Sequence, residues 1–122
     1  MKKITLPSGA KLEIDLAPFA DANALNKAVA KELKGMKFDP ELNLTDPVFI
    51  KDLACTAFSS DEIMNALEVC FRRCTYNGLR IDANTFEPEE ARQDFFITCK
   101  EVLIEQLRPV AQALLSMFLA KE

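Results

Sequence analysis

No histidine and no tryptophan occur in this chain of 122 residues, and glycine appears only three times. Histidine is the commonest general base and a common metal ligand, so its absence weighs against an enzyme. With glycine confined to Gly9, Gly35 and Gly78, no phosphate-cradling loop, dinucleotide fingerprint, nucleophile elbow or calcium loop can be written. Positive charge is in deficit: fifteen lysines and arginines against nineteen acids give a formal charge of -4. Lys2-Lys3 and Arg72-Arg73 are too few for the basic stripe that a phosphate backbone requires, so no nucleic-acid partner is expected. Long apolar runs are missing too. Nothing approaches the roughly 20 residues needed to span a bilayer, and polar Thr5 to Lys11 replace the apolar core of a leader. The expectation is a cytoplasmic protein with no membrane contact.

What remains is ordinary globular composition, 49% hydrophobic and 28% charged, with nine phenylalanines supplying the bulky packing. That balance predicts one folded domain over residues 1–122 rather than disorder. Periodicity divides it into a β-hairpin over 1–17 and a helical body over 18–122. The fold class is mainly α, with about four to five helices packed around a long C-terminal helix kinked at Pro109.

Residues 2–6 and 10–16 alternate, placing Ile4, Leu6, Leu12, Ile14 and Leu16 on one face, and Pro7-Ser8-Gly9 is turn chemistry. A lone hairpin is marginal in water. Its apolar face must therefore pack on the helices or on another chain's sheet, the latter giving a homo-oligomer. Ala17-Pro18 ends the second strand. A first helix then runs from Pro18 or Asp21 to Lys34 with Ala22, Leu25, Val29 and Leu33 inward, and Gly35 as its cap. The long connection over 36–46 is pinned by Phe38, Leu42 and Leu44. Thr45 or Asp46 caps a second helix from Pro47 to about Phe58, apolar nearly all round and so expected to be the most buried. Ser59 with Glu62 reads as a capping box opening a third helix, Ser60 to Thr75, which Asn77-Gly78 terminates. Leu79-Arg80-Ile81 reads as an extended link.

The final helix is expected from Thr85 or Phe86. Ala91, Phe95, Cys99, Val102, Leu103 and Leu107 form its apolar face, and Pro109 bends it or divides it in two. Glu87, Glu89, Glu90 and Asp94 are the densest carboxylate cluster, and a solvated helix N-terminus explains them without catalysis. Cys55, Cys70, Cys74 and Cys99 fit neither a redox CxxC nor a paired zinc pattern. They are read as reduced core thiols with no role in metal binding. No catalytic, cofactor-binding or metal-binding residue is predicted. Beyond Pro109, Leu114, Leu115, Met117, Phe118 and Leu119 cover more than one helix face, and they are the predicted partner-binding residues.

Ile4-Thr5-Leu6-Pro7-Ser8-Gly9-Ala10-Lys11-Leu12 resembles the start of small tail assembly chaperones of long-tailed bacteriophages and prophages. So do Cys74-Thr75-Tyr76-Asn77-Gly78, the stretch Thr85-Phe86-Glu87-Pro88-Glu89-Glu90-Ala91-Arg92, and Leu107-Arg108-Pro109. The resemblance implies a non-catalytic protein that binds the tape measure protein, keeps its apolar helices soluble and helps recruit tail tube subunits. It also implies absence from the mature virion. Two other readings stay open: a small structural phage protein, such as a head–tail connector or tail component, which the hairpin-plus-helices plan also suits, and a regulatory helical protein-binding module.

Overall fold

The computed structural model describes residues 2–33 and 47–119, with side chains for all of these except residues 33, 49 and 110–119. The connection over 36–46, the Gly35 cap and the Thr45 or Asp46 cap lie outside the described residues.

The expected hairpin forms. Strand β1 (Lys2–Thr5) pairs antiparallel with β2 (Lys11–Ile14), setting Ile4 opposite Leu12 and Lys3 opposite Glu13. Gly9 donates its N–H to the Leu6 carbonyl at 2.8 Å, and Leu6 donates to Ala10 at 2.9 Å. The Gly9 φ of 91° is the left-handed backbone that closes a three-residue loop, and glycine adopts it without steric penalty. Leu6, Ala10, Leu12 and Ile14 are buried. Leu16, expected on the same face, is 50% exposed, because the strand ends at Ile14 and the alternation ends with it.

Helix α1 (Phe19–Leu33) buries Leu25, Ala28 and Val29. Among its described side chains, helix α2 (Pro47–Ser59) buries Leu53, Ala54 and Ala57. It is not the most buried helix, since Phe58 stands 49% exposed. Helix α3 (Asp61–Cys70) is capped by Ser60, whose Oγ accepts the Ile63 N–H at 3.2 Å. The cap therefore falls one residue later than the Ser59–Glu62 reading. Ser59 instead donates its hydroxyl to the Cys55 carbonyl at 2.7 Å inside the last turn of α2.

The larger correction follows α3. The helix does not reach Thr75; it tightens into a 3₁₀ turn over Phe71–Arg73, and Cys74 is already extended. Thr75–Tyr76 then forms β3 and Leu79–Arg80 forms β4, closing a second hairpin. Asn77 and Gly78 are its two turn residues, with φ of 52° and 81°, the left-handed pair that matches strand twist. Strand β3 pairs with β2, Leu12 opposite Tyr76, so one four-stranded sheet runs in the order β1-β2-β3-β4. Asn77 ties the two hairpins together. Its Oδ1 accepts the Lys11 N–H at 2.8 Å, and its own N–H donates to the Lys11 carbonyl at 2.7 Å.

Helix α4 (Glu89–Leu119) begins later than Thr85 because residues 82–87 make consecutive turns. Pro88 enters the first turn, accepting from Ala91 at 3.0 Å and Arg92 at 3.2 Å. Its backbone stays helical through Pro109 to Leu119, one helix rather than two. Ala91, Cys99, Val102, Leu103 and Ile104 are its buried apolar residues among those described, and Cys99, Val102 and Leu103 share one core cluster with Leu25, Leu53, Ile63, Leu67 and the sheet face. The short α3 contacts α1, α2 and α4 alike, so it shares the central position expected of α4.

Candidate functional site

Asp94, Thr98, Val102 and Gln106 are spaced four residues apart on α4 and share one face. All four are within 2% of complete burial, although three are polar. Each polar member has a hydrogen-bond partner, as burial demands. Asp94 sits beneath the tip of the first hairpin: Oδ1 accepts the Ser8 N–H at 3.1 Å, and Oδ2 accepts the hydroxyls of Ser8 and of Tyr76, the latter at 2.6 Å. Twelve residues on, about 18 Å along the helix, Gln106 holds the hairpin's root. Its Oε1 accepts the Ala17 N–H at 3.0 Å, and its Nε2 donates to the Asp15 carbonyl at 3.1 Å. Those two backbone groups lie beyond the end of β2 at Ile14, and the amide satisfies one donor and one acceptor together. Thr98 returns its hydroxyl to the Asp94 carbonyl at 2.8 Å. On the outer side, Lys2 of β1 reaches Glu105 at 3.2 Å and Glu101 at 3.5 Å. The long helix thus grips the sheet at its tip, at its root and along one strand.

This overturns part of the reading of the acidic cluster. Glu89 and Glu90 are exposed and Glu87 pairs with exposed Arg92 at 3.4 Å, as a solvated helix start predicts. Asp94 is instead wholly buried and serves as an internal acceptor. Ser8 remains a turn residue, but its hydroxyl and N–H both point at that carboxylate. The Tyr76 phenol is held above its ordinary pKa, first by burial and then by its hydrogen bond to Asp94. The three groups form a latch between a loop, a strand and a helix. Thr98 and Gln106 carry no apolar signal; the available one is their position four and twelve residues after Asp94, on its side of the helix.

Three of the four cysteines are core thiols. Burial pushes Cys70 and Cys74 up to about 11 and Cys99 up to about 12, so all three stay protonated well above neutral pH. Cys55 departs from the expectation and is exposed on α2. A thiol reagent at neutral pH is expected to modify the native protein once, at Cys55, and to reach all four sites only after unfolding. Mass spectrometry of the labelled chain checks this, and a second fast-reacting thiol would contradict the burial. Among the described residues no group of three or more cysteine, aspartate or glutamate side chains could hold a metal ion.

Aromatic rings line the opposite flank of α4. Phe96 and Phe95 meet Phe58 at 5.3 and 6.2 Å between centroids, Phe95 meets Phe86 at 5.1 Å, and Phe86 meets Tyr76 at 5.5 Å. A cleft of about 660 Å³ opens beside them, between the end of α3 and the loop entering α4. A separate apolar groove of about 350 Å³ lies between the start of α1 and α4 and ends at Pro109. Leu16 and Phe19 line it with 50% and 73% of their surface exposed. Of the predicted partner-binding residues, Leu114, Leu115, Met117, Phe118 and Leu119 all lie on the last turns of α4, and their side chains are outside the described set. No helix among the described residues is long and apolar enough to cross a membrane. Comparison with protein-family models, with curated proteins and with solved structures finds no match to this chain.

Proposed function

We propose that this protein is a non-catalytic phage tail assembly chaperone that binds the tape measure protein and assists recruitment of tail tube subunits. The observation that carries the reading is the apolar groove ending at Pro109. Exposed Phe19 and Leu16 line it together with Pro109, and in the sequence the apolar run Leu114 to Leu119 follows five residues on. Contiguous apolar surface of this kind marks a protein-binding site, and an apolar helix is the partner that such a surface suits. Two of the segments on which the family resemblance rests also meet: the Leu6–Gly9 turn reaches Tyr76 through Ser8, and Asn77 bonds to Lys11.

Mass spectrometry of assembling lysates and of finished particles separates this reading from that of a structural virion component. The chaperone reading requires the chain in the lysate and its absence from mature particles. Stable incorporation would exclude it. A single substitution probes the same idea. Phe118→Asp is expected to leave the thermal unfolding midpoint nearly unchanged while weakening partner binding, read by pull-down with the tape measure protein. Collapse of the unfolding transition would instead place Phe118 in the core.

A further inference from the structure

The cleft between α3 and the start of α4 has a floor and a rim of different chemistry. Phe71, Ile81, Phe86 and Phe95 form the apolar floor, with Phe71 only 5% exposed and the Phe86 and Phe95 rings packed edge to face. Glu68, Asp82 and Glu87 stand on the rim with Arg72 and Arg92. The two arginines are not equivalent. Arg92 is engaged within the wall, donating Nε to the Glu87 carbonyl at 3.1 Å and Nη2 to the Glu87 carboxylate at 3.4 Å, so that pair is neutral. This leaves Glu68 and Asp82 against Arg72, a net negative mouth. Asp82 is held in place, its Oδ1 accepting the Asn84 N–H at 2.8 Å and the Thr85 hydroxyl at 3.4 Å, so ordering it for a ligand costs little.

Phenylalanine faces attract cations, and the attraction grows where water is partly excluded. Carboxylates above an aromatic floor therefore select a side chain with an apolar stem and a positive head. We propose that this cleft docks a basic, apolar-flanked segment of a partner protein, with a lysine or arginine over the phenylalanine floor and its charge between Glu68 and Asp82. The net charge of -4 favours approach of the same class of partner. The cleft is separate from the groove at Pro109, and the inference does not rest on the chaperone reading.

Two synthetic amphipathic peptides with identical leucine positions, one with lysine and one with glutamate at every polar position, serve as probes. Each is titrated into the isotope-labelled full chain at an ionic strength of about 0.15 M and followed by amide chemical shifts. The lysine peptide is expected to give saturable changes centred on residues 68–72 and 81–87, and the glutamate peptide to bind at least about tenfold more weakly. Glu68→Gln, at an exposed position on α3, is expected to weaken the lysine peptide by about two- to fivefold with an unchanged circular dichroism spectrum. Arg72→Gln should tighten it. Equal or stronger binding of the glutamate peptide, shifts centred elsewhere, or no saturable binding would each overturn the proposal.

Discussion

Replacing Asp94 by alanine is expected to lower stability by about 2–4 kcal/mol, among the largest losses that removing a hydrogen-bonding side chain can cause. The substitution deletes the acceptor for three donors at once, the Ser8 N–H and the Ser8 and Tyr76 hydroxyls. It also leaves a hole in a fully buried position. Asparagine should cost less, since its amide oxygen still accepts and the two hydroxyls can turn to accept from its NH₂. Urea unfolding measures both, and the comparison of Ser8→Ala, Tyr76→Phe and the double variant shows whether the donors act through one carboxylate. A loss below about 1 kcal/mol for Asp94→Ala, the level of an exposed contact, would contradict the latch.

Leu103→Ala tests the other half of the α4 interior. Leu103 is 1% exposed in the cluster that joins α4 to α1, α2 and α3. Truncating it removes buried apolar surface and leaves a cavity, a change worth about 2–5 kcal/mol. Leu107 lies one turn on and is only half-buried, so Leu107→Ala should cost less, in line with the smaller area lost. Denaturant midpoints with unchanged slopes would report the difference cleanly. Similar costs at the two positions would mean that the buried interior extends undiminished towards Pro109.

These two positions also mark what periodicity could and could not convey. Leu103 was legible because it repeats with Cys99 and Leu107 on one helix face, and the hairpin over residues 2–14 was legible for the same reason at period two. The second hairpin was not. Asn77-Gly78 has the backbone freedom that both a helix stop and a tight strand turn use. With only Thr75-Tyr76 and Leu79-Arg80 beside it, alternation was too short to decide. Pairing with β2 settles it, a long-range contact that no local pattern contains. Asp94 was noticed for its charge and misplaced as solvated, because burial depends on Ser8 and Tyr76 arriving from distant parts of the chain. Gln106 carried no apolar signal at all. Its role exists only because the chain leaving β2 at Ile14 brings the Asp15 carbonyl and the Ala17 N–H to it.

Exposed Phe58 and the early stop of β2 before Leu16 show the same limit from the other side. Each was counted as buried because its residue type fitted the pattern, whereas exposure follows from where the neighbouring element ends. Leu16 and Phe19, exposed in the groove that Pro109 lines, then become informative, since they leave apolar surface uncovered.

The central claim is that this surface keeps a partner's apolar helices out of water, and co-expression with the tape measure protein tests it most directly. The account predicts that the tape measure protein, insoluble alone, appears in the soluble fraction with this chain and co-purifies with it. Insolubility despite abundant folded chain, with no complex recovered, would contradict the account.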